Sequence, residues 1–192
     1  LASDLLNAAS ELMYPDHFSA DQRKVVLKGE AYFEVTKDVK RPFSVVLGDM
    51  EVKVLGTSFN VSAYPGVKRQ TTLIEGQVAV NWHRQQVVIR PGQQAAETDE
   101  GLRVASVNVM NYVGWKEHRF VYENKLLGEV LEDLERWYDV SFFFAGESLK
   151  IKRFSGSIPK YSDLSKVLKM LELTTNIRFK KTDKTVVVEM IQ

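Results

Sequence analysis

Apolar positions in the first half of the chain recur with a period of two. Between about Arg23 and Ala105, the stretches Val25 to Leu27, Tyr32 to Val35, Phe43 to Leu47, Val52 to Leu55, Phe59 to Ala63, Val78 to Trp82 and Val87 to Ile89 alternate or are rich in β-branched residues, which predicts strands. Turn formers separate them too closely for helices to intervene: Lys28-Gly29-Glu30, Leu47-Gly48-Asp49, Tyr64-Pro65-Gly66, Glu75-Gly76-Gln77 and Arg90-Pro91-Gly92-Gln93. An all-β domain over residues 1–107 follows, with a sandwich or a solenoid as its architecture. Within it, Glu30-Ala31-Tyr32-Phe33-Glu34-Val35 buries Ala31, Phe33 and Val35 on one face and turns both glutamates outward, as a half-exposed strand does. Ser3 to Met13 fits a short helix capped by Ser3 or Asp4, with Leu5, Leu6, Ala9 and Leu12 on one side.

From Trp115 the period becomes helical and the pattern duplicates itself. Leu127, Val130, Leu131 and Leu134 stand on one helix face, and Leu164, Val167, Leu168 and Leu171 repeat them 37 residues later. The same offset carries Val140 and Phe142 onto Ile177 and Phe179. A short strand precedes each helix, Arg119 to Tyr122 and Arg153 to Ile158, with Asn124 and then Ser162 or Asp163 as N-caps. Residues 115–192 therefore read as two β-α-β units, closed by a last strand from Thr185 to Glu189 after the turn Thr182-Asp183-Lys184. Right-handed crossovers lay such units out as one small sheet with both helices on one face. The boundary falls between Val107 and Trp115, where Gly114 interrupts the pattern.

Composition narrows function mainly by exclusion. The 192 residues carry 26 Lys+Arg against 25 Asp+Glu, a net charge of +1, so neither nucleic acid nor an anionic membrane has a general electrostatic reason to bind. The basic cluster Lys150, Lys152, Arg153, Arg178, Lys180 and Lys181 is interleaved with Glu147, Glu172 and Asp183. Absence of cysteine removes disulfides, thiolate zinc sites and a cysteine nucleophile, and fits an oxidising compartment as well as a reducing one. No run approaches the roughly 20 apolar residues of a membrane span. The start at Leu1, without an initiator Met or a signal-peptide pattern, reads as an excised soluble segment.

The search for chemistry leaves little. His17, His83 and His118 lie far apart and outside any metal spacing, so no metal or cofactor is expected. Glu132-Asp133 falls on an exposed helix face and Asp99-Glu100 in a turn, whereas glycosidic chemistry needs two carboxyls across a cleft. No nucleophile elbow, phosphate loop or dinucleotide fingerprint occurs. In Val54-Leu55-Gly56-Thr57-Ser58-Phe59, a Thr57 hydroxyl held against the Gly56 carbonyl by a strained turn can convert the amide to an ester and so cut the chain. The competing reading makes Gly56 a positive-φ or bulge position and Thr57 and Ser58 polar strand residues. Most aromatic residues, Trp137, Tyr138 and Phe142 among them, read as core, and Phe143 alone is unexplained by burial.

These residues also carry a family resemblance. Arg23-x-Val25-x-Leu27-x-Gly29-Glu30-Ala31-Tyr32-Phe33-Glu34-Val35, then Arg41-Pro42-Phe43, then Val52-x-Val54-Leu55-Gly56-Thr57-x-Phe59-Asn60-Val61, resemble the periplasmic region of FecR-family anti-sigma factors. Leu73-x-Glu75-Gly76-x-Val78, Pro91-Gly92-Gln93-Gln94-Ala95 and Trp115-Lys116-x-x-Arg119-Phe120 continue the resemblance. The stretch from Leu126 through Val130-Leu131 to Trp137-Tyr138-x-Val140, with Phe154-Ser155-Gly156 and Leu164-x-x-Val167-Leu168, is similar to the C-terminal domain of the Bacteroidetes branch. That domain in turn is similar to the short N-terminal domain of secretins and TonB-dependent receptors, a pair of β-α-β units. Leu6-Asn7-Ala8-Ala9-Ser10 with Leu12 and Tyr14-Pro15 resembles the family's entry strand, against the helical reading, while Leu1 to Leu5 departs from the usual pattern.

The resemblance implies a non-enzymatic sensor, without cofactor, in the periplasmic part of an inner-membrane anti-sigma factor. Its partner is then the signalling domain of a TonB-dependent transporter, and a sigma factor is reached only through a membrane helix and a cytoplasmic segment not among these residues. Some members are cut at a Gly-Thr bond, which corresponds to Gly56-Thr57. For the partner's contact, the last strand, Thr185, Val186, Val187, Val188 and Glu189, is expected as a sheet edge open to an added strand. The alternative from another class is a carbohydrate- or peptidoglycan-binding module, with Tyr64 or Phe143 in an aromatic platform.

Overall fold

The computed structural model describes residues 2–191, so the first residue of the unusual Leu1 to Leu5 stretch lies outside the described residues. The chain divides into two units, Leu1–Lys116 and Glu117–Gln192. The first contains β1 (Ala2–Leu6), β2 (Glu11–Met13), β3 (Arg23–Val35), β4 (Phe43–Leu47), β5 (Met50–Val54), β6 (Thr57–Ala63), β7 (Gln70–Glu75), β8 (Val78–Trp82), β9 (Gln85–Ile89), β10 (Gln93–Thr98), β11 (Gly101–Ser106) and the single helical turn α1 (Met110–Val113).

Strand β3 organises this unit. Its first half pairs with β2 and β4 and its second half with β1 and β6, so it passes from one sheet into the other. One sheet continues from β6 to β7, β10 and β11, and the other from β4 to β5, β8 and β9. Phe33, Phe43, Met50, Phe59, Leu73 and Ile89, all fully buried, belong to the core these sheets enclose. Among the described pairs of this unit only β3 and β4 run parallel. A solenoid would stack successive coils one on the next, so antiparallel partners as distant in sequence as β7 and β10 exclude it and leave a sandwich or barrel-like arrangement. The two far ends meet where Leu102 N–H on β11 donates to Gln85 Oε1 on β9 at 2.8 Å.

The expected turn Lys28-Gly29-Glu30 is a bend inside β3. Gly29 has φ +93°, and a Cβ there would fall 2.7 Å from Ser10 Cα. Ser10 Oγ instead accepts the Glu30 N–H at 2.8 Å. The same contact explains why residues 3–13 are not helical. β1 and β2 lie antiparallel along β3, and Asn7 N–H donates to Glu30 O at 2.9 Å, a set of bonds that an isolated helix of this length would have to outweigh. Strands β7 and β10 escaped the hydrophobic pattern because buried polar residues build them: Thr71, Thr72 and Gln94 are all buried, and Gln94 Nε2 donates to Thr72 Oγ1 at 2.9 Å. After β11 the chain folds back, and Val113 and Trp115 pack on Tyr32. The first unit therefore runs past residue 107 and takes in Trp115, which the sequence pattern assigned to the second.

The second unit contains β12 (Arg119–Leu126), α2 (Leu127–Tyr138), β13 (Ser141–Phe144), β14 (Arg153–Pro159), α3 (Leu164–Thr175), β15 (Ile177–Thr182) and β16 (Thr185–Met190). The chain order is β-α-β twice and then a strand, but the expected single sheet does not form. β12 pairs antiparallel with β14, while β16 lies between β13, which is parallel to it, and β15, which is antiparallel. Each helix touches strands of both sheets. The reason lies in the duplication: first strand pairs with first strand, and the two second strands flank β16, so both helices bury their apolar faces against sheets built from both repeats.

Helix ends follow the repeat as well. Asp139 and Asn176, 37 residues apart, both adopt the left-handed conformation that ends a helix. Asp163 caps α3 by accepting the Ser165 N–H at 2.8 Å. Asn124 is not the cap of α2; it sits at φ +52° in a bulge of β12. No side chain caps α2, because Leu127 and Gly128 N–H donate to the carbonyls of Lys152 and Lys150 at 2.7 and 3.1 Å.

Candidate functional site

Residues from four separate motifs converge beneath the segment that ends the first unit. Trp115 Nε1 donates to Asn60 Oδ1 at 3.1 Å, Asn60 Nδ2 donates to Glu30 Oε1 at 2.8 Å, and Asn7 Nδ2 donates to Glu30 Oε2 at 2.7 Å. Glu30 is thus half-buried and engaged from two sides, and not turned to solvent like Glu34 on the same strand. Tyr32, between them, is buried under Val113 and Trp115, with Lys116 Nζ 4.9 Å from its ring centroid. Burial and the nearby Glu34 push the Tyr32 phenol up, opposed by Lys116. Chemically this is a clamp: one chain of hydrogen bonds joins Trp115, Asn60, Glu30 and Asn7.

A second anchor ties the other half of β3. Arg23, 5% exposed, donates through Nε to Arg41 O at 2.9 Å and through both terminal nitrogens to Thr36 O at 3.3 Å, with its guanidinium 5.8 Å from the Phe43 ring centroid. Arg23 and Arg41-Pro42-Phe43 are therefore a structural motif.

At Gly56-Thr57 the glycine is required for space and not for a positive φ. A Cβ on Gly56 would fall 2.5 Å from Lys37 Cα, and one on Gly76 would fall 2.8 Å from Gly56 O. The bulge lies one step later, between Ser58 and Phe59 opposite β7. Thr57 is buried and its hydroxyl donates to Gln77 O at 3.0 Å. A carbonyl oxygen orients that hydroxyl but does not take its proton as a general base would.

In the second unit the strand expected to offer a free edge is the middle one. Thr185 to Val188 pair with β13 on one side and with β15 on the other, so this part of β16 has no open backbone for an added strand. Val186 and Val188 are fully buried, which accounts for the valine-rich run. The edges are β13 and β15, and the repeat treats them alike. Glu135 Oε1 accepts the Phe142 N–H at 2.6 Å, and 37 residues on, Glu172 Oε1 accepts the Phe179 N–H at 2.9 Å. Both contacts could be suspected in the sequence only from the coincidence of two glutamates at one repeat position.

Tyr64 is buried, and its hydroxyl donates to Ala8 O at 2.8 Å, so it forms no aromatic platform. Phe143 is exposed at 57%. His83 Nε2 lies 3.2 Å from Asp49 Oδ2, and His118 packs against Tyr161. Among the described residues no group of three or more His, Asp or Glu side chains is placed to hold a metal ion, and no helix is long and apolar enough to cross a membrane.

Fold and site together define a class: a β-strand unit with clamped segments followed by a duplicated β-α-β unit. Comparison with known families agrees. Residues 5–79 match the model of the FecR protein family and residues 119–188 match that of the FecR C-terminal region. The chain belongs to the FecR family. No curated protein matches it significantly. It is similar over its whole length to two crystal structures, at 1.65 and 2.50 Å resolution, of a candidate anti-sigma factor from Parabacteroides distasonis ATCC 8503. Identity is 26% in both, 91% of each of those chains is covered, and the TM-scores are 0.90 and 0.89.

Proposed function

We propose that this chain is the periplasmic sensing region of a membrane-anchored anti-sigma factor, which receives a signal from the periplasmic domain of a TonB-dependent outer-membrane transporter and relays it toward a sigma factor. The observation that carries the anti-sigma role is the presence of both FecR-type regions in one chain, joined to a whole-length likeness to a candidate anti-sigma factor. The resemblance described from the motifs supplies the transporter and the compartment. A relay of this kind works through differential binding, because a partner that binds all states of the sensor equally shifts none of them.

The test is calorimetric titration of the chain with the periplasmic signalling domain of the transporter encoded beside it. Binding at micromolar Kd, about −8 kcal/mol, supports the relay. Absence of binding at high concentration removes the transporter as partner while leaving the family assignment in place.

A further inference from the structure

Phe143 remained unexplained by burial in the sequence, and the structure places it on a groove in the second unit. The groove has a volume of about 420 Å³, within the range of ligand-binding clefts. It runs between α2, which contributes Gly128, Glu132 and Glu135, and the open edge strand β13, which contributes Phe142, Phe143 and Phe144, with Glu147 at one end. Its cation, Lys150, pairs with Glu147 at 2.9 Å and lies 5.6 Å from the Phe144 ring centroid. The lining is therefore aromatic with an excess of negative charge. Glu135 already spends Oε1 on the Phe142 N–H, which closes one backbone donor of the edge.

The internal repeat supplies its own control. At the equivalent positions 37 residues on, Glu132, Phe143 and Phe144 become Lys169, Lys180 and Lys181, while the framework residues Leu131, Glu135 and Phe142 are matched by Leu168, Glu172 and Phe179. The two halves share one scaffold, the same helix-to-strand hydrogen bond and the same left-handed helix end, yet at these matched positions the first carries an exposed aromatic and an acid where the second carries lysines. What the fold needs is common to both; the Phe and Glu side chains are the difference.

We infer that the α2–β13 groove docks an extended segment of a partner protein in which a Lys or Arg is flanked by apolar side chains. The apolar residues cover Phe143, and the cation meets Glu132 and Glu135, so that the carboxylate that guards the edge against indiscriminate strand addition becomes the group that selects a basic one. Partial desolvation pushes the Glu132 carboxyl up, opposed by Arg136 and aided by the neighbouring acids Asp133, Glu129 and Glu135. The assignment rests on the relay reading only for the identity of the protein that carries the segment.

The test uses the full chain and two capped octapeptides, one alternating Lys with Val and the other alternating Glu with Val, followed by backbone-amide shifts and fluorescence polarisation. The Lys peptide is expected to bind saturably at sub-millimolar concentration, with shifts confined to residues 128–150, and the Glu peptide is not. Phe143→Ser and Glu132→Lys, both at exposed positions, should each weaken binding about tenfold, and Lys180→Ser on the equivalent face should leave it unchanged. Equal binding of both peptides, no binding of the Lys peptide, or full affinity in Phe143→Ser and Glu132→Lys overturns the inference. So does concentration-dependent self-association of the chain that the same two variants abolish, which would give the groove to a second copy. A Lys peptide that binds while the transporter's signalling domain does not leaves the groove standing and removes the relay's partner; a signalling domain that binds wild type and both variants alike does the reverse.

Discussion

Trp115→Phe isolates one bond of the clamp. The phenyl ring still packs against Tyr32 and Val113, but the indole N–H that donates to Asn60 Oδ1 is gone. Trp115 is 8% exposed and Asn60 2%, so the amide oxygen left behind is out of water. Asn60 cannot turn its amide over to compensate, because Nδ2 is committed to Glu30 Oε1. The net bond is worth about 1 kcal/mol, and stranding a buried acceptor raises the loss to about 1–3 kcal/mol. For a unit of roughly this size each kcal/mol moves the midpoint by about 4 °C, so near-ultraviolet circular dichroism should show a fall of about 4–12 °C. Asn60→Ala and the double variant complete a cycle with an expected coupling of about 1 kcal/mol. Limited proteolysis reads the same event locally, with faster cleavage at Lys116 once the segment is released. A midpoint within about 1 °C of wild type, or a coupling of zero, would refute the argument that these motif residues act as one unit.

Three further outcomes follow from other contacts. Arg69 donates to Glu97 Oε2 and to Leu47 O, each at 2.7 Å, and also to Asp49, so Arg69→Met should cost about 2–3 kcal/mol in urea denaturation. Hydrogen bonds from Arg69 hold the Glu97 and Asp49 carboxyls below their ordinary range, and a lowered folded-state value means stability present above the ordinary values and lost as pH falls through the folded ones; the gap between wild type and Arg69→Met should therefore narrow below about pH 4. Thr57→Ala should lose about 1 kcal/mol with its bond to Gln77 O, and both it and the wild type should run as one band on a denaturing gel; two wild-type fragments that merge in the variant would establish self-cleavage at Gly56-Thr57 instead. Glu135→Ala together with Glu172→Ala frees the Phe142 and Phe179 N–H groups at both sheet edges, and light scattering should then detect concentration-dependent association that the wild type lacks.

Legibility in the sequence tracked how each residue is buried. Strands β4, β5, β8 and β9 were readable because apolar side chains on one face make the period visible, as with Val45, Val52 and Val80, all fully buried. β7 and β10 were not, because Thr71, Thr72 and Gln94 occupy the same interior and look like loop residues until their partners across the sheet are known. Gly29 misled for a related reason: a positive φ serves a bend within a strand as well as a turn, and only the distant Ser10 decides between them. The clamp was present as motif letters but not as a site, since Glu30, Asn60 and Trp115 touch only after three strands and a helical turn have come together.

The duplication in the second half was legible as a period but not as a layout. A 37-residue repeat is compatible with two parallel crossovers or with a two-fold exchange of strands, and the second is the one observed, with β16 paired on both sides and Val186 and Val188 buried on one face. The choice changes what the sequence can say about partners. With β16 central, its valines are needed by the core, and the open surface passes to β13 and β15, the two strands that the repeat makes comparable residue by residue. Positions that match between them, such as Glu135 with Glu172, must satisfy the same backbone, whereas positions that diverge, such as Phe143 with Lys180, are free of that demand. Exposure alone would not single out Phe143, 57% exposed, but it lines one groove with Phe142, Phe144, Glu132 and Glu135, and that grouping, absent from the matching positions on β15, is the physical ground for looking outside the chain for its partner.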